Sequence, residues 1–315
     1  MNSPDTRLFG AIEAGGTKFV CAVGDAVGQL RAEHRFATTE PRTTLAEAAA
    51  FLREGSGDFG PLAAIGVAAF GPIELDRRSA GYGCILRTPK PGWSGTNMLA
   101  PFAEQFSCPI GFDTDVNAAA SAEHRWGAAR GADPIVYVTV GTGIGGGVLV
   151  NGEPLHGLMH PEIGHIYPRR HAYDADFAGV CPFHGDCLEG LAGGPAIVAR
   201  SGALLDELAH GHPQWDIEAD YLAQLCAQLV LTVSPRRIVL GGGVMSQVRL
   251  LPMIRDRMRH WLRGYVDRPE LSTRIDEYVV APGLGSRSGV LGALSLAVQA
   301  AAPHSHAPGR LHPGT

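Results

Sequence analysis

The sequence predicts an α/β fold built as two related domains. Strand-like and helix-like segments alternate along most of the chain, as they do where helices cover a largely parallel sheet. A pattern of apolar run, glycine turn and apolar run occurs twice, at 8–23 and at 136–150. The chain also has 315 residues, 45% of them hydrophobic, which is long for one domain. The expected boundaries are 1–117 for a small N-terminal domain, rejoined by a last helix near 287–302, and 118–286 for a larger one. The tail 303–315 has no apolar periodicity and is expected to be disordered.

Leu8 to Glu13 and Lys18 to Val23 are apolar runs around Ala-Gly-Gly-Thr, and Leu30 to Ala37 adds a third antiparallel strand, so the chain opens as a meander. Thr44 to Arg53 has helical spacing, and Ala63 to Phe70 is a strand ending at Gly71-Pro72. Met98 to Gln105 is expected to be helical, Pro109 to Phe112 a short strand and Val116 to Arg130 an alanine-rich helix. The second unit begins with strands on either side of Gly141-Thr142-Gly143. An irregular stretch from about 156 to 190 follows, then helices near 195–208 and 217–233 and a strand at Ile238 to Leu240. A helix near 249–263, a strand at Tyr278 to Val280 and a helix near 287–301 complete the chain.

Twenty-six Lys and Arg against 31 Asp and Glu give a net charge of -5 with no block of either sign, which argues against nucleic acid and membrane surfaces as partners. A start without a basic and apolar leader predicts a cytoplasmic protein. Six cysteines are too few for a disulfide scaffold. Cys21, Cys84, Cys108 and Cys226 lie in apolar contexts and are expected in the core, whereas Cys181 and Cys187 stand among histidines.

Glu13-Ala-Gly15-Gly16-Thr17-Lys18 puts two glycines, a hydroxyl and an amine in a turn where bare N–H groups can approach phosphate oxygens. An ordinary glycine hairpin is the competing explanation. Gly141-Thr-Gly143-Ile-Gly145-Gly146 satisfies G-x-G-x-x-G, but a strand follows it where a dinucleotide fingerprint needs a helix, so a Rossmann site is rejected. Gly241-Gly242-Gly243-Val244-Met245 follows a strand and precedes a helix, whose N-terminus could face a nucleotide. In Asp113-Thr114-Asp115 either aspartate could cap the next helix, or Asp115 could stand at a cleft edge and take a proton from an attacking hydroxyl.

Three glycine turns and a carboxylate in this order resemble the ROK family of sugar kinases, within the actin-like ATPase superfamily. The resemblance runs from about 8 to 302. Its most specific part is Pro161-Glu162-Ile-Gly164-His165 with Cys181-Pro-Phe-His184-Gly-Asp-Cys187-Leu-Glu189. The first glycine motif and Thr88-Pro-Lys-Pro-Gly-Trp93 look like the fructokinase branch, as do Glu13, where the wider family has Asp, and Thr114, where it has Asn. The resemblance implies two actin-like, ribonuclease H-like domains with a cleft between them, and a homodimer. It implies that Gly15, Gly16, Thr17, Lys18, Gly141, Thr142 and Gly143 hold the phosphates of ATP, with Pro195 and Gly241 to Met245 beside adenosine. Asp115 becomes the catalytic base. Sugar hydroxyls would be met by Gly71, Pro72, Thr114, Asp115, Glu162, His165 and Glu189.

His165, Cys181, His184 and Cys187 supply two imidazoles and two thiolates, a closed tetrahedral set that fits structural Zn²⁺. His171 or His160 could replace His165. The resemblance implies transfer of the γ-phosphoryl group from ATP, with Mg²⁺, to a hexose, foremost D-fructose at its 6-hydroxyl. Glucokinase, mannokinase and N-acetylmannosamine kinase are the alternatives within the family. A sugar-responsive repressor is disfavoured because no basic helix-turn-helix precedes the first strand. A zinc hydrolase would need an open three-ligand site.

Overall fold

The computed structural model describes residues 6–302, so the expected disorder of 303–315 falls outside the described residues. The chain opens with the meander β1 (Leu8–Ala14), β2 (Lys18–Asp25) and β3 (Leu30–Ala37). Exposure alternates along β3, an edge strand with one face in solvent, whereas β2 is buried beyond its first residue. Helix α1 (Pro41–Phe59) starts where the Glu40 carboxylate accepts the amides of Arg42 and Thr43, and it buries Leu45, Ala48, Ala49 and Leu52 on one stripe. Strand β4 (Leu62–Ala69) then pairs parallel to β1, and β5 (Ile110–Thr114) parallel to β4. Between them the expected helix over Met98–Gln105 is one turn, α2 (Ala100–Ala103), because Asn97 opens it through the amides of Leu99 and Ala100 and the chain unwinds after Ala103.

Helix α3 (Asp115–Arg125) leads to β6 (Ile135–Val140), β7 (Ile144–Val150) and a two-residue β8 (Glu153–Pro154). Four helices follow or flank the remaining strands: α4 (Leu188–Ala192), α5 (Gly194–Ser201), α6 (Gln214–Thr232) and, after β9 (Arg237–Gly241), α7 (Leu250–Leu262). The one-turn α8 (Ile275–Tyr278), β10 (Val279–Val280) and α9 (Ser288–Ala300) end the described chain.

The two sheets have one topology. The first runs β3-β2-β1-β4-β5, and the second, read from its meander edge, runs β8-β7-β6-β9-β10. In both, two antiparallel pairings are followed by two parallel ones. The glycine turns that echo one another in sequence therefore occupy equivalent places, each between the first and second strand of its sheet.

Helix α9 ends the chain but packs on the first sheet and against α3. The contact is close because Gly66 on β4 faces the Ala293 carbonyl and Gly292 faces the Ala118 backbone, where a methyl group would collide. Helix α3 also touches the second sheet, since Gly147 on β7 abuts the Val116 carbonyl. The buried Glu123 carboxylate fastens this crossing. It accepts hydrogen bonds from the amides of Ala128 (2.7 Å), Gly283 (2.9 Å) and Leu284 (3.1 Å) and from the Ser288 hydroxyl (2.7 Å). Of the four cysteines expected in the core, Cys21 and Cys226 are buried, while Cys84 and Cys108 are half-buried.

Candidate active site

Strand β5 delivers Asp115 to the place where the chain passes from the first sheet to the second. Neither aspartate caps α3: Thr114 does, its Oγ1 accepting the Asn117 amide at 3.1 Å. Asp115 is thereby the first residue of the helix, with Oδ1 2.9 Å from its neighbour's Val116 amide. Its carboxyl is pushed up to about 7, first by burial and then by the negative charge of Glu13, with Glu162 adding to it. Burial likewise raises Glu13, which Lys18 and Arg35 partly offset. A carboxyl that ionises near neutrality can take a proton from a hydroxyl and give it up again. Thr114 is 2% exposed, and its oxygen accepts the cap hydrogen bond.

The loop after β4 comes from the first lobe and meets the segment 160–162 of the second. Gly71-Pro72 has a cis peptide bond, and a side chain on Gly71 would stand 3.3 Å from His160 Cε1 and 3.7 Å from Glu162 Oε1. The Ile73 amide donates to His160 Nε2 at 3.2 Å, and His160 Nδ1 lies 3.3 Å from Glu162 Oε1. Burial pushes the Glu162 carboxyl up to about 7, and the charge of Glu189 acts in the same direction. Glu189 Oε2 accepts the Ile144 amide at 3.0 Å, and a methyl on Gly143 would come within 2.6 Å of that oxygen.

The glycine segments of the second lobe converge. The Gly194 amide donates to the Gly141 carbonyl at 2.7 Å, which sets Pro195 and the start of α5 against the 141–143 turn. Gly242, at φ 92°, has its α-carbon against the backbone of Val140, where only glycine fits. Gly141 faces the Gly243 amide, with 4.0 Å left for a β-carbon. Contrary to the expectation from sequence, no α-helix N-terminus adjoins Gly241–Met245: a single 3₁₀ turn over Val244–Ser246 intervenes, and α7 begins at Leu250. In the first lobe Thr38 Oγ1 donates to the Gly15 carbonyl at 2.7 Å and the Gly15 amide to the Lys18 carbonyl at 3.0 Å, which leaves Gly16 open and Thr17 and Lys18 exposed.

His165, Cys181, His184 and Cys187 come together, with one ligand atom of each within 4.8 Å of the others. His165 Nδ1 is 3.4 Å from Cys187 Sγ and 3.9 Å from Cys181 Sγ, and His184 Nδ1 is 3.7 Å from Cys181 Sγ. A tetrahedron with Zn–N and Zn–S bonds of about 2.1 and 2.3 Å has edges of roughly 3.4–3.8 Å, so the donor set fits that ion. His171 is elsewhere, its Nε2 3.4 Å from Asp216, and His160 is engaged with Ile73 and Glu162.

Residues 9–300 match the ROK family. The chain belongs to that family. A fructokinase from Zymomonas mobilis is 44% identical over 299 residues, covering 94% of this chain and 98% of that relative. Among solved structures, a ROK hexokinase from Thermus thermophilus has a TM-score of 0.74 and 26% identity over 93% of this chain and 98% of its own. A ROK glucokinase from Streptomyces griseus, solved with glucose and AMPPNP, has a TM-score of 0.73 and 25% identity over 93% of this chain and 99% of its own. These kinases have the actin-like two-domain fold, and the repeated strand order places this ROK chain in the same architecture.

Two pairings beside the ROK site, of Asp113 and of His160, were not read from the sequence. Asp113, 3% exposed, accepts the Thr114 amide at 2.7 Å and Asn117 Nδ2 at 2.7 Å, and pairs with His156 Nε2 at 3.0 Å. That pairing raises the His156 imidazole above its ordinary value, with hydrogen bonding to Asp113 the largest cause. Asn117, two residues past Asp115, was a readable signal: a buried polar residue on an otherwise alanine face. His160 was visible as His160-Pro161-Glu162, but only its metal-binding use was weighed. Among the described residues no helix is long and apolar enough to cross a membrane.

Proposed function

We propose that this ROK protein is an ATP-dependent fructokinase, with MgATP and D-fructose as substrates and Asp115 as the general base. The observation that carries the reading is the position of Asp115. It stands at the crossing between lobes, within electrostatic reach of Glu13, which precedes the first glycine turn, and of Glu162, while Glu189 lies against the 141–143 turn. Fructose as the sugar is supported by the near full-length similarity to the Zymomonas mobilis fructokinase.

In this reading the sugar 6-hydroxyl gives its proton to Asp115 as its oxygen bonds to the γ-phosphorus. The bond from that phosphorus to the β,γ-bridging oxygen breaks, and ADP leaves. Peptide amides at 15–17 and 141–143 would hold the triphosphate, and magnesium bound with it would supply charge neutralisation, so positioning and electrostatics would give most of the acceleration. Closure of the lobes about α3 and the segment before α9 would exclude water that otherwise hydrolyses ATP.

The reading includes Zn²⁺ held by His165, Cys181, His184 and Cys187 as a structural ion that organises a loop with few apolar residues. It also includes a cytoplasmic homodimer, to be checked by light scattering. The experiment for the activity is ADP release over a panel of hexoses. Fructose should exceed glucose in kcat/KM by at least about tenfold, the discrimination one well-placed hydrogen bond provides. No turnover with any sugar would overturn the reading in favour of a regulator.

A further inference from the structure

We propose that His160 is a positioning residue: one neutral imidazole joins the Gly71-Pro72 loop of the first lobe to Glu162 of the second and so fixes the sugar-facing carboxylate. The consequence for catalysis rests on the kinase reading above.

Ile73 is 1% exposed, and its amide donates to His160 Nε2 at 3.2 Å. A donor there requires a bare lone pair on Nε2, because a protonated Nε2 would set two N–H groups against each other with neither satisfied. With Nε2 accepting, a neutral ring carries its hydrogen on the other nitrogen. That nitrogen, Nδ1, lies 3.3 Å from Glu162 Oε1. With His160 5% exposed, burial also disfavours the imidazolium, holding the group below its ordinary value.

The tautomer is therefore set by the first lobe and read by the second. Nδ1–H faces Oε1 of Glu162 and leaves Oε2 for a sugar hydroxyl. The open contact of 3.3 Å has room to shorten as the lobes close. Gly71 serves the same junction, since a β-carbon there would stand only 3.3 Å from the imidazole. Sugar affinity and the position of the first-lobe loop are coupled through this ring.

Two substitutions separate its two bonds. His160→Asn keeps an N–H where Nδ1 stands and loses the acceptor for Ile73, whereas His160→Gln reaches the Nε2 position and loses the donor to Glu162. His160→Gln should raise the KM for fructose about tenfold, the loss of one polar contact to Glu162, with the KM for ATP within about twofold. His160→Asn should recover part of that loss. In a Glu162→Gln background His160→Gln should add less than about twofold, because the two act as a unit.

An active wild type with an unchanged fructose KM in His160→Gln, or full additivity with Glu162→Gln, would overturn the assignment while leaving the kinase reading intact. A wild type that phosphorylates no sugar would overturn the kinase reading itself. If the variants fail to fold, ¹⁵N NMR of histidine-labelled wild type decides. Hydrogen on Nδ1 of His160 supports the proposal, and the Nε2–H tautomer or an imidazolium at neutral pH overturns it.

Discussion

Glu189 accepts the Ile144 amide at 3.0 Å, so a carboxylate assigned to the sugar also fixes the end of the glycine turn assigned to the nucleotide. The two substrates would share a wall. That shared wall explains why residue 143 is glycine: a methyl there would come within 2.6 Å of Glu189 Oε2 and push the carboxylate aside.

Gly143→Ala should accordingly raise the KM for fructose and for ATP together, each about tenfold, because one displaced carboxylate serves both sites. Initial-rate kinetics with each substrate varied in turn checks this. A change confined to ATP would mean that the turn and the sugar pocket are independent.

Asp115 must be ionised to act as a base, and its carboxyl sits at about 7 in the free protein. The kcat/KM for fructose should therefore fall up to tenfold per pH unit below about 7 and level off above it. Asp115→Asn should lower kcat by about 10²–10⁴-fold with fructose binding largely kept. Wild-type turnover in that variant removes Asp115 from its role.

The same burial makes Asp115 a cost to stability. Its folded value is raised above the unfolded 3.8, so the penalty is absent below about pH 4 and complete above about pH 7. Asp115→Asn should raise Tm at pH 8 by a few degrees, an upper limit of about 4 kcal/mol being reduced by the solvent that reaches this half-buried group. At pH 4 the two proteins should melt together. Calorimetry at the two pH values gives the comparison.

The parts of the fold legible in sequence were those with a strong local period. The meander at β1 to β3 was readable because apolar runs flank a glycine turn, and the repeat of that pattern at β6 and β7 disclosed the duplication. Strand β8 was not anticipated, although Asn151-Gly152, both with positive φ, is the strongest two-residue hairpin signal there is. Helix α2 was overextended because Asn97 and the unwinding after Ala103 act through single hydrogen bonds that periodicity does not register. At the site, Asp115 drew notice as an acid between a strand and a helix, whereas Glu162 and Glu189 came from the resemblance to the family. The Glu123 fastening and the His160 bridge were not, since each joins segments 87 or more residues apart.

Removing the Zn²⁺ proposed for the two histidines and two cysteines should loosen the loop that carries Glu162, His165 and Glu189. Cys181→Ser, or dialysis against a strong chelator, should lower Tm and raise the KM for fructose more than that for ATP, with loss of about one zinc per chain by atomic emission. Unchanged stability and kinetics in metal-free protein would show that the cluster is not structural.

The central claim is that Asp115 faces the 6-hydroxyl of a bound sugar, and a crystal structure with fructose and a non-hydrolysable ATP analogue measures it directly. The account predicts an Asp115 carboxylate oxygen about 2.6–3.2 Å from that hydroxyl, with the γ-phosphorus on the hydroxyl's other side. A carboxylate turned to solvent and remote from both would contradict it.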